Sequence, residues 1–468
     1  MRGTGRFLLL VGIVVTFVVA MASLDGGGGD ARLTSGPQVD SSQTLESISL
    51  EGSADDELTD PATTAARYVI VRDDTATGPP DLAAIRAANP GAQVLVYKNA
   101  AFTLWDPESE GTDPATGEPR CPYAPFQGGG VDYCAADPNE SWFLHSAADP
   151  TVRLTSAGYA GQWAMNPAEP GYRDAWEVAV LARLQDANRN GLLNEGPDDR
   201  YDGVYLDDVN VRPGHGLAET GIAEAPAVEG SVEDVPAYRD GIVGFVDQIA
   251  GAVRDQGFLV MANVDANIED QTQRDAALDI AADLDVYNQE RFMRLYFERP
   301  KSGEAIDVLS TDPPRRGTIA WSSVLGFMGA VQDTGAGFSG IAYGRDGGTG
   351  NELAQRYIRA SFLLGWNGAD GSALAYRSLD DTDGGPLGLP EWTASIGELA
   401  GETVPVGAAF ERRFSGGLAA VNPTLDSDAE IPLAGAYRVP DGSCPDSVTL
   451  GPVDALILPR CDGNTLPP

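Results

Sequence analysis

Two short acidic segments carry the residue types from which a hydrolytic site could be built. The first is Asp202-Gly203-Val204-Tyr205-Leu206-Asp207-Asp208-Val209-Asn210 and the second is Asp285-Val286-Tyr287-Asn288-Gln289-Glu290-Arg291-Phe292. In each, a β-prone run ends in a carboxylate, so the acid falls where a buried strand gives way to a loop. A carboxylate buried at such a place is costly without partners; it is either hydrogen-bonded for structure or used in chemistry. Alternation along a strand puts Tyr205 and Asp207 on one face and Leu206 and Asp208 on the other, so one aspartate lines the cleft. With Glu290 at matching height, Asp207 completes the minimum for cleaving a glycosidic bond. One carboxylate attacks or activates water, and the other protonates the leaving oxygen. The competing reading of Glu290 is a solvated ion pair with Arg291 or Arg294.

Further polar residues close other strand-like runs: Asp73, Lys98 and Asn99, Asn166, Asn263 and Asp265, and Arg345 with Asp346. Sugar hydroxyls need such donors and acceptors, together with aromatic platforms such as Trp105, Trp142, Trp163 and Tyr343. Tyr205 and Asp208 beside Asp207, and His145 in Trp142-Phe143-Leu144-His145-Ser146, join this candidate substrate-binding set. Each has a structural alternative, because an Asn at a strand end is often a turn residue and a lone His is often a hydrogen-bonded core residue. The sequence holds no G-x-S-x-G, HExxH or P-loop, so other nucleophile systems lack support and no cofactor is expected for catalysis.

A third constellation runs from Asp186 to Asp198. Asp186, Asn188 and Asn190 alternate ahead of Gly191, matching the first half of a calcium loop, with Leu192 and Asp198 completing the candidate ligand set. Pro197 stands where a bidentate Glu belongs, so Asp198 or Glu195 must supply that ligand. The alternative is a turn favoured by Asn and Gly. A Ca²⁺ ion here would be structural, since the loop precedes the strand that carries Asp207.

The elements that must position these residues alternate in type. Strand-like runs fall at 67–72, 93–100, 161–167, 202–208, 258–264, 285–290, 339–344 and 372–378, with helical patterns at 172–185, 238–256, 322–332 and 352–366 between them. Eight such repeats predict a (β/α)₈ TIM barrel over 64–398, with the active site at the C-terminal ends of its strands. A doubly wound open sheet is the runner-up, disfavoured because no strand is followed by GxGxxG. From 399 to 468 the helical period stops and short strands predict a small C-terminal β-sandwich.

The 69 acidic and 31 basic residues give a net charge of −38, which repels phosphate backbones and excludes nucleic acid as a partner. Lys98 and Lys301 are the sole lysines, a pattern of high-salt proteins and equally of an arginine-biased genome. Residues 1–22 combine two Arg, an apolar run from Phe7 and a small-x-small close, which predicts a secretory signal; an uncleaved membrane anchor is the alternative. A flexible acidic linker is predicted over 23–63. Export suits disulfides, and the spacing favours Cys121 with Cys134 and Cys444 with Cys461 over a zinc site. A secreted or cell-surface monomer with a carbohydrate substrate is the expectation.

The segments WFLHS (142–146), MNPAEPGYRDAW (165–176), YDGVYLDDVN (201–210), VMANVD (260–265), DVYNQERFM (285–293), RRFSGGLAAVNPT (412–424) and VDALILPR (453–460) together resemble the glycosyl-hydrolase-like TIM-barrel family 15. They are more distantly similar to the α-galactosidase clan and the endo-α-1,4-polygalactosaminidases. The resemblance implies carbohydrate-active chemistry, with Asp207 matching the carboxylate after the fourth strand and Glu290 the acid after the sixth. Related barrels often carry Asp at the second place. The alternative from another class is a non-catalytic glycan-binding or cell-envelope protein on the same scaffold.

Overall fold

The computed structural model describes residues 48–51, 69–72, 82–88, 90, 93–104, 129–146, 149–156, 161–187, 196, 200–212, 217–219, 235–298, 305–315, 318–344, 349–368, 372–378 and 396–461. The apolar run of the first 22 residues lies outside them. No described helix is long and apolar enough to cross a membrane.

Eight parallel strands carry the core: β1 (Ile48–Glu51), β2 (Val69–Arg72), β3 (Gln93–Asn99), β4 (Gly203–Asn210), β5 (Leu259–Asp265), β6 (Val286–Glu290), β7 (Gly337–Gly344) and β8 (Ala373–Ser378). They pair in chain order and β8 comes back beside β1, which is the TIM-barrel arrangement. Helices Leu82–Ala88, Pro170–Gln185, Val235–Asp255, Gln271–Ala282, Trp321–Asp333 and Thr349–Gly365 follow β2 to β7 in turn. The four helices expected from sequence are all there. Local chemistry sets their starts: Pro170 sits in the first turn of one helix, and the Asp270 carboxylate caps another by accepting from the Gln273 N–H at 3.0 Å.

The strands read as near-continuous apolar runs because both faces are buried. Val94, Val96, Val204, Leu206, Val260, Ala262, Tyr287 and Phe338 face the helices in the main core. Leu95, Tyr205, Met261, Val286 and Ile341 fill the barrel interior, with Tyr97, Leu259 and Tyr343 packed against them. At the N-terminal ends, the carboxylates of Asp202 and Asp285 accept the backbone N–H groups of Val94 and Val260, both at 2.8 Å, pinning each strand to its neighbour.

One of the eight strands is not where the sequence pattern put it. The run at 161–167 forms only the short strand Gln162–Ala164, antiparallel to Phe102–Leu104 and Leu154–Ser156 in a four-stranded side sheet completed by Leu217–Glu219. With Gln162 and Trp163 half-buried, it lacks the two covered faces of a barrel strand. The missing member is β1, from the stretch read as a flexible linker, which pairs parallel with β2 from Ile48↔Val69 to Glu51↔Arg72.

The C-terminal region folds as expected into antiparallel β-structure. Strands Val404–Val406, Ala409–Arg413, Gly417–Asn422 and Asp454–Pro459 form one sheet, and Ala429–Pro432 pairs with Ser447–Leu450. Every residue of Gly417–Asn422 is buried because both faces of that sheet are covered. Ala419, Val421, Ala455 and Ile457 join the main core, while Leu418, Ala420, Leu456 and Leu458 join the smaller core beneath the two-stranded ribbon. The Arg412 guanidinium joins the two parts by donating to the carbonyls of Leu363, Leu364 and Trp366, capping the end of helix Thr349–Gly365. Cys444 bridges Cys461 with Cα atoms 6.3 Å apart. Cys134 is also disulfide-bonded, and Cys121, its expected partner, lies outside the described residues.

Candidate active site

The register of the barrel brings one layer of polar side chains together at its C-terminal end. Asn99 of β3 pairs with Asp207 of β4, Asn263 of β5 with Asn288 of β6, and Asn288 with Ser339 of β7. All share the parity of Leu95, Tyr205, Met261, Val286 and Ile341, so the strands that fill the barrel interior with apolar groups also present polar groups on that same face, with the apolar group lower down on β3 to β6 and one step higher on β7. Glu290 stands one step higher on the same face of β6 as Asn288 and Val286.

Between β4 and β5 the ladder slips: Leu206 pairs with Ala262 but Val209 pairs with Val264. Asp207 and Asp208 together oppose the single residue Asn263, which is a β-bulge, and Asp208 takes a left-handed backbone with φ 55°. The bulge changes the outcome expected from simple alternation. Leu206 and Val209 both face the helices, and the two aspartates between them serve different partners. Asp207 turns inward, while the buried Asp208 carboxylate accepts from Asn99 Nδ2 at 2.6 Å. Arg291, next after Glu290, is also left-handed with φ 59°. Non-glycine residues rarely hold this backbone, at a cost of roughly 1–2 kcal/mol each, and such positions cluster at functional sites.

Asp207 accepts two hydrogen bonds, one on each oxygen: from Tyr97 Oη at 2.6 Å and from Asn263 Nδ2 at 2.8 Å. Burial, and next the charge of Asp208, push its pKa up, and the bonds from Tyr97 and Asn263 pull against that rise. Burial first, and then the charge of Asp207, push Glu290 up to about 7, while a hydrogen bond with Tyr343 and the charge of Arg291 oppose the shift. Tyr97 and Tyr205 are driven well above the ordinary phenol range, first by burial and then by Asp207, so both keep their protons. Two carboxylates feeling each other's charge do not ionise together; the one with two committed donors ionises first. The two donors thus favour the Asp207 anion against the rise that burial and Asp208 impose, and Glu290 retains a proton up to about 7.

The other residues proposed from sequence divide by location. Asn263, Tyr205, Tyr343, Asn99 and Asp208 join Asp207 and Glu290 in this layer or directly against it. Asp265 is exposed at the end of β5. Lys98 pairs with Leu206 on the face opposite Asp207, where its amine donates to the Gly129 carbonyl at 3.2 Å. Asn166 makes a turn: its Oδ1 accepts the Ala168 N–H at 3.1 Å, ahead of helix Pro170–Gln185. His145 belongs to the side sheet and bonds Glu140 at 2.7 Å. Trp142 packs edge-on against Tyr172 of helix Pro170–Gln185, and Trp163 packs at a tilt against Tyr133 within the insertion. Asp73, Trp105 and Arg345 lie outside the described residues, as do Asn188, Asn190, Leu192 and Asp198 of the calcium candidate. Asp186 ends helix Pro170–Gln185, its carbonyl accepting from Arg183. Among the described residues no cluster of His, Cys, Asp or Glu could hold a metal ion.

Three members of the layer escaped the sequence reading: Tyr97, Asn288 and Ser339. The signal for them was parity. In Leu95-Val96-Tyr97 and Val286-Tyr287-Asn288, a polar group stands two residues beyond an inward apolar one, and the same pattern carries Ser339 two residues before Ile341.

No protein-family model matches the sequence, and no curated protein matches it. Among solved structures, the chain is similar to TIM-barrel glycoside hydrolases at low identity. A noncanonic maltogenic alpha-amylase, AmyB from Thermotoga neapolitana, matches with TM-score 0.45 and 8% identity over 90% of this chain and 99% of that one. A GH27 β-L-arabinopyranosidase from Geobacillus stearothermophilus matches with TM-score 0.46 and 9% identity, over 89% and 96%. The isomaltulose synthase SmuA from Protaminobacter rubrum gives TM-score 0.45 and 9% identity, over 90% and 99%. These are likenesses in the course of the chain.

Proposed function

We propose that this protein is a secreted glycoside hydrolase that cleaves O-glycosidic bonds in an extracellular polysaccharide or glycan with Asp207 and Glu290. The observation that carries the reading is the unequal treatment of the two carboxylates. Asp207 receives two hydrogen bonds that favour its anion, while burial and the neighbouring negative charge hold the proton on Glu290 up to about 7. Glu290 then donates its proton to the glycosidic oxygen as the bond to the anomeric carbon breaks. Asp207 attacks that carbon, or takes a proton from the water that does. Asn263, bonded to Asp207, and Tyr343, bonded to Glu290, stand beside the pair where they can orient sugar hydroxyls. The resemblance of YDGVYLDDVN and DVYNQERFM to glycosyl-hydrolase-like family 15 agrees with these roles. Export, a monomeric state and a structural Ca²⁺ in the 186–198 loop belong to the same proposal; chelation should lower the melting temperature if the loop holds the ion.

The test is a panel of α-linked polysaccharides assayed for new reducing ends with the wild type, Asp207→Asn and Glu290→Gln. The wild type should cleave at least one member, and each substitution should remove most of that turnover with the fold intact. Full activity of both variants would remove this mechanism. Binding without cleavage by the wild type would favour a glycan-binding protein.

A further inference from the structure

The polar layer beside Asp207 has a direction. Ser339 Oγ donates to Asn288 Oδ1 at 2.8 Å; Asn288 Nδ2 donates to Tyr205 Oη at 3.0 Å and to Asn263 Oδ1 at 3.4 Å; Asn263 Nδ2 donates to Asp207 Oδ1 at 2.8 Å. The chain of donors crosses β7, β6, β5 and β4 one residue at a time, and the bonds from Ser339 to Asn288, Asn288 to Asn263 and Asn263 to Asp207 all run in one direction, with a side branch from Asn288 to Tyr205. Asn288 and Ser339 are fully buried, so water does not compete for their groups. An asparagine amide can satisfy a carboxylate only with its N–H side, and its carbonyl side would repel it. The orientation of Asn263 is therefore set from both sides, by the carboxylate that takes its N–H and by the Asn288 donor that takes its carbonyl, and Asn288 is fixed in turn by Ser339 and Tyr205.

We propose that Asn288 and Ser339 are positioning residues for Asp207: neither touches it, and together they orient the Asn263 amide so that its N–H is committed to the carboxylate. Aligned hydrogen bonds polarise one another, which strengthens the last of the series. Removing the far end loosens the near end, and the anion of Asp207 loses part of its support. Among the described residues, the other charged or titratable groups around Asp207 are Tyr97 from β3, Asp208 and Tyr205 from β4 itself, and Glu290 from β6, with Arg291 and Tyr343 beside Glu290 and Tyr238 near Asp208. Ser339 is bonded to the series through Asn288, and of these groups Tyr205 also accepts from Asn288, so a change at Ser339 that reaches Asp207 travels through Asn288, by the Asn263 amide or by Tyr205. The catalytic meaning of the series rests on the proposed role of Asp207; its existence does not.

The experiment reads Asp207 directly and needs no substrate. Its carboxyl stretch is isolated by difference infrared spectroscopy against Asp207→Asn, in which that band is absent, and titrated in the wild type, Ser339→Ala, Asn288→Ala and the double variant. The midpoint should rise by about half to one pH unit in Asn288→Ala and by less in Ser339→Ala. The double variant should match Asn288→Ala alone, because both changes break one series. Ser339→Ala deletes a single buried oxygen and keeps the test alive if Asn288→Ala does not fold. Midpoints equal to that of the wild type in both variants, with Asn263→Ala still raising it, would overturn the proposal. Loss of glycosidase activity on every substrate, with the shift present, would instead count against the functional reading alone.

Discussion

Two clusters of acidic side chains in this protein use the same residue types to opposite ends. In the side-sheet insertion, Arg153 donates to Glu140 at 2.5 and 2.8 Å and to Asp137 at 2.7 Å, and stacks over the Phe143 ring, while His145 bonds Glu140. The hydrogen bond from Arg153 holds the Glu140 carboxyl down at about 2. At the barrel mouth, the partners of Asp207 are the neutral groups Tyr97 and Asn263, its nearest charge is another carboxylate, and Glu290 is pushed up to about 7. A cation commits a carboxylate to one state and makes it a fastener. Neutral donors and a like charge leave a proton that can move near neutral pH.

The sharpest break between the clusters should appear in turnover. Asp207→Asn should lower kcat on a cleaved polysaccharide on the order of 10³-fold or more, whereas Arg153→Met should leave it within a few-fold. For Glu290→Gln, the loss on an aryl glycoside with a good leaving group should be much smaller than on the natural chain, because such a group needs little protonation. Comparable losses from Asp207→Asn and Arg153→Met would erase the distinction between the two clusters.

Stability should rank them the other way. Arg153→Met leaves Asp137 and Glu140 without their cation and, because both carboxylates are solvent-exposed, should cost about 1 kcal/mol, read as a lower urea midpoint. Asp285→Ala, which frees the Val260 N–H at the opposite end of β5 from the site, should cost a similar amount with turnover preserved. Glu290→Gln should do the reverse at alkaline pH. The folded pKa of Glu290 is about 7 against an ordinary 4.5, so the folded state holds this proton more tightly than the unfolded chain does. Its stability contribution is full below about 4.5 and is lost as pH rises through 7. Replacing it with a neutral amide should therefore raise the melting temperature at pH 8, by roughly 1 kcal/mol of stability, and change little at pH 4. A lower melting temperature at pH 8 would mean that the Glu290 anion is a stabilising partner.

Much of the barrel was legible because parallel strands covered on both faces leave continuous apolar runs, and seven of the eight runs are barrel strands. Gln162–Ala164 was misplaced because three residues carry too little pattern to separate a barrel strand from a side sheet. Ile48–Glu51 was missed because four residues amid Gly, Ser and Asp look like a linker until β2 pairs with them. Asp207 was legible from period-2 alternation, but the division of labour with Asp208 was not, since it depends on a bulge that alternation cannot express. Tyr97, Asn288 and Ser339 carry no motif; their importance lies in cross-strand register, which joins residues far apart in sequence.

The most direct test of the central claim is the pH dependence of kcat/KM on a substrate that requires leaving-group protonation, compared in the wild type and Glu290→Gln. Activity in the wild type should fall as pH rises through about 7, where Glu290 gives up its proton. In Glu290→Gln the residual rate should lose that alkaline limb while keeping the acidic limb set by Asp207. An alkaline limb that stays near 7 in Glu290→Gln would assign the proton to another group and contradict the two-carboxylate account.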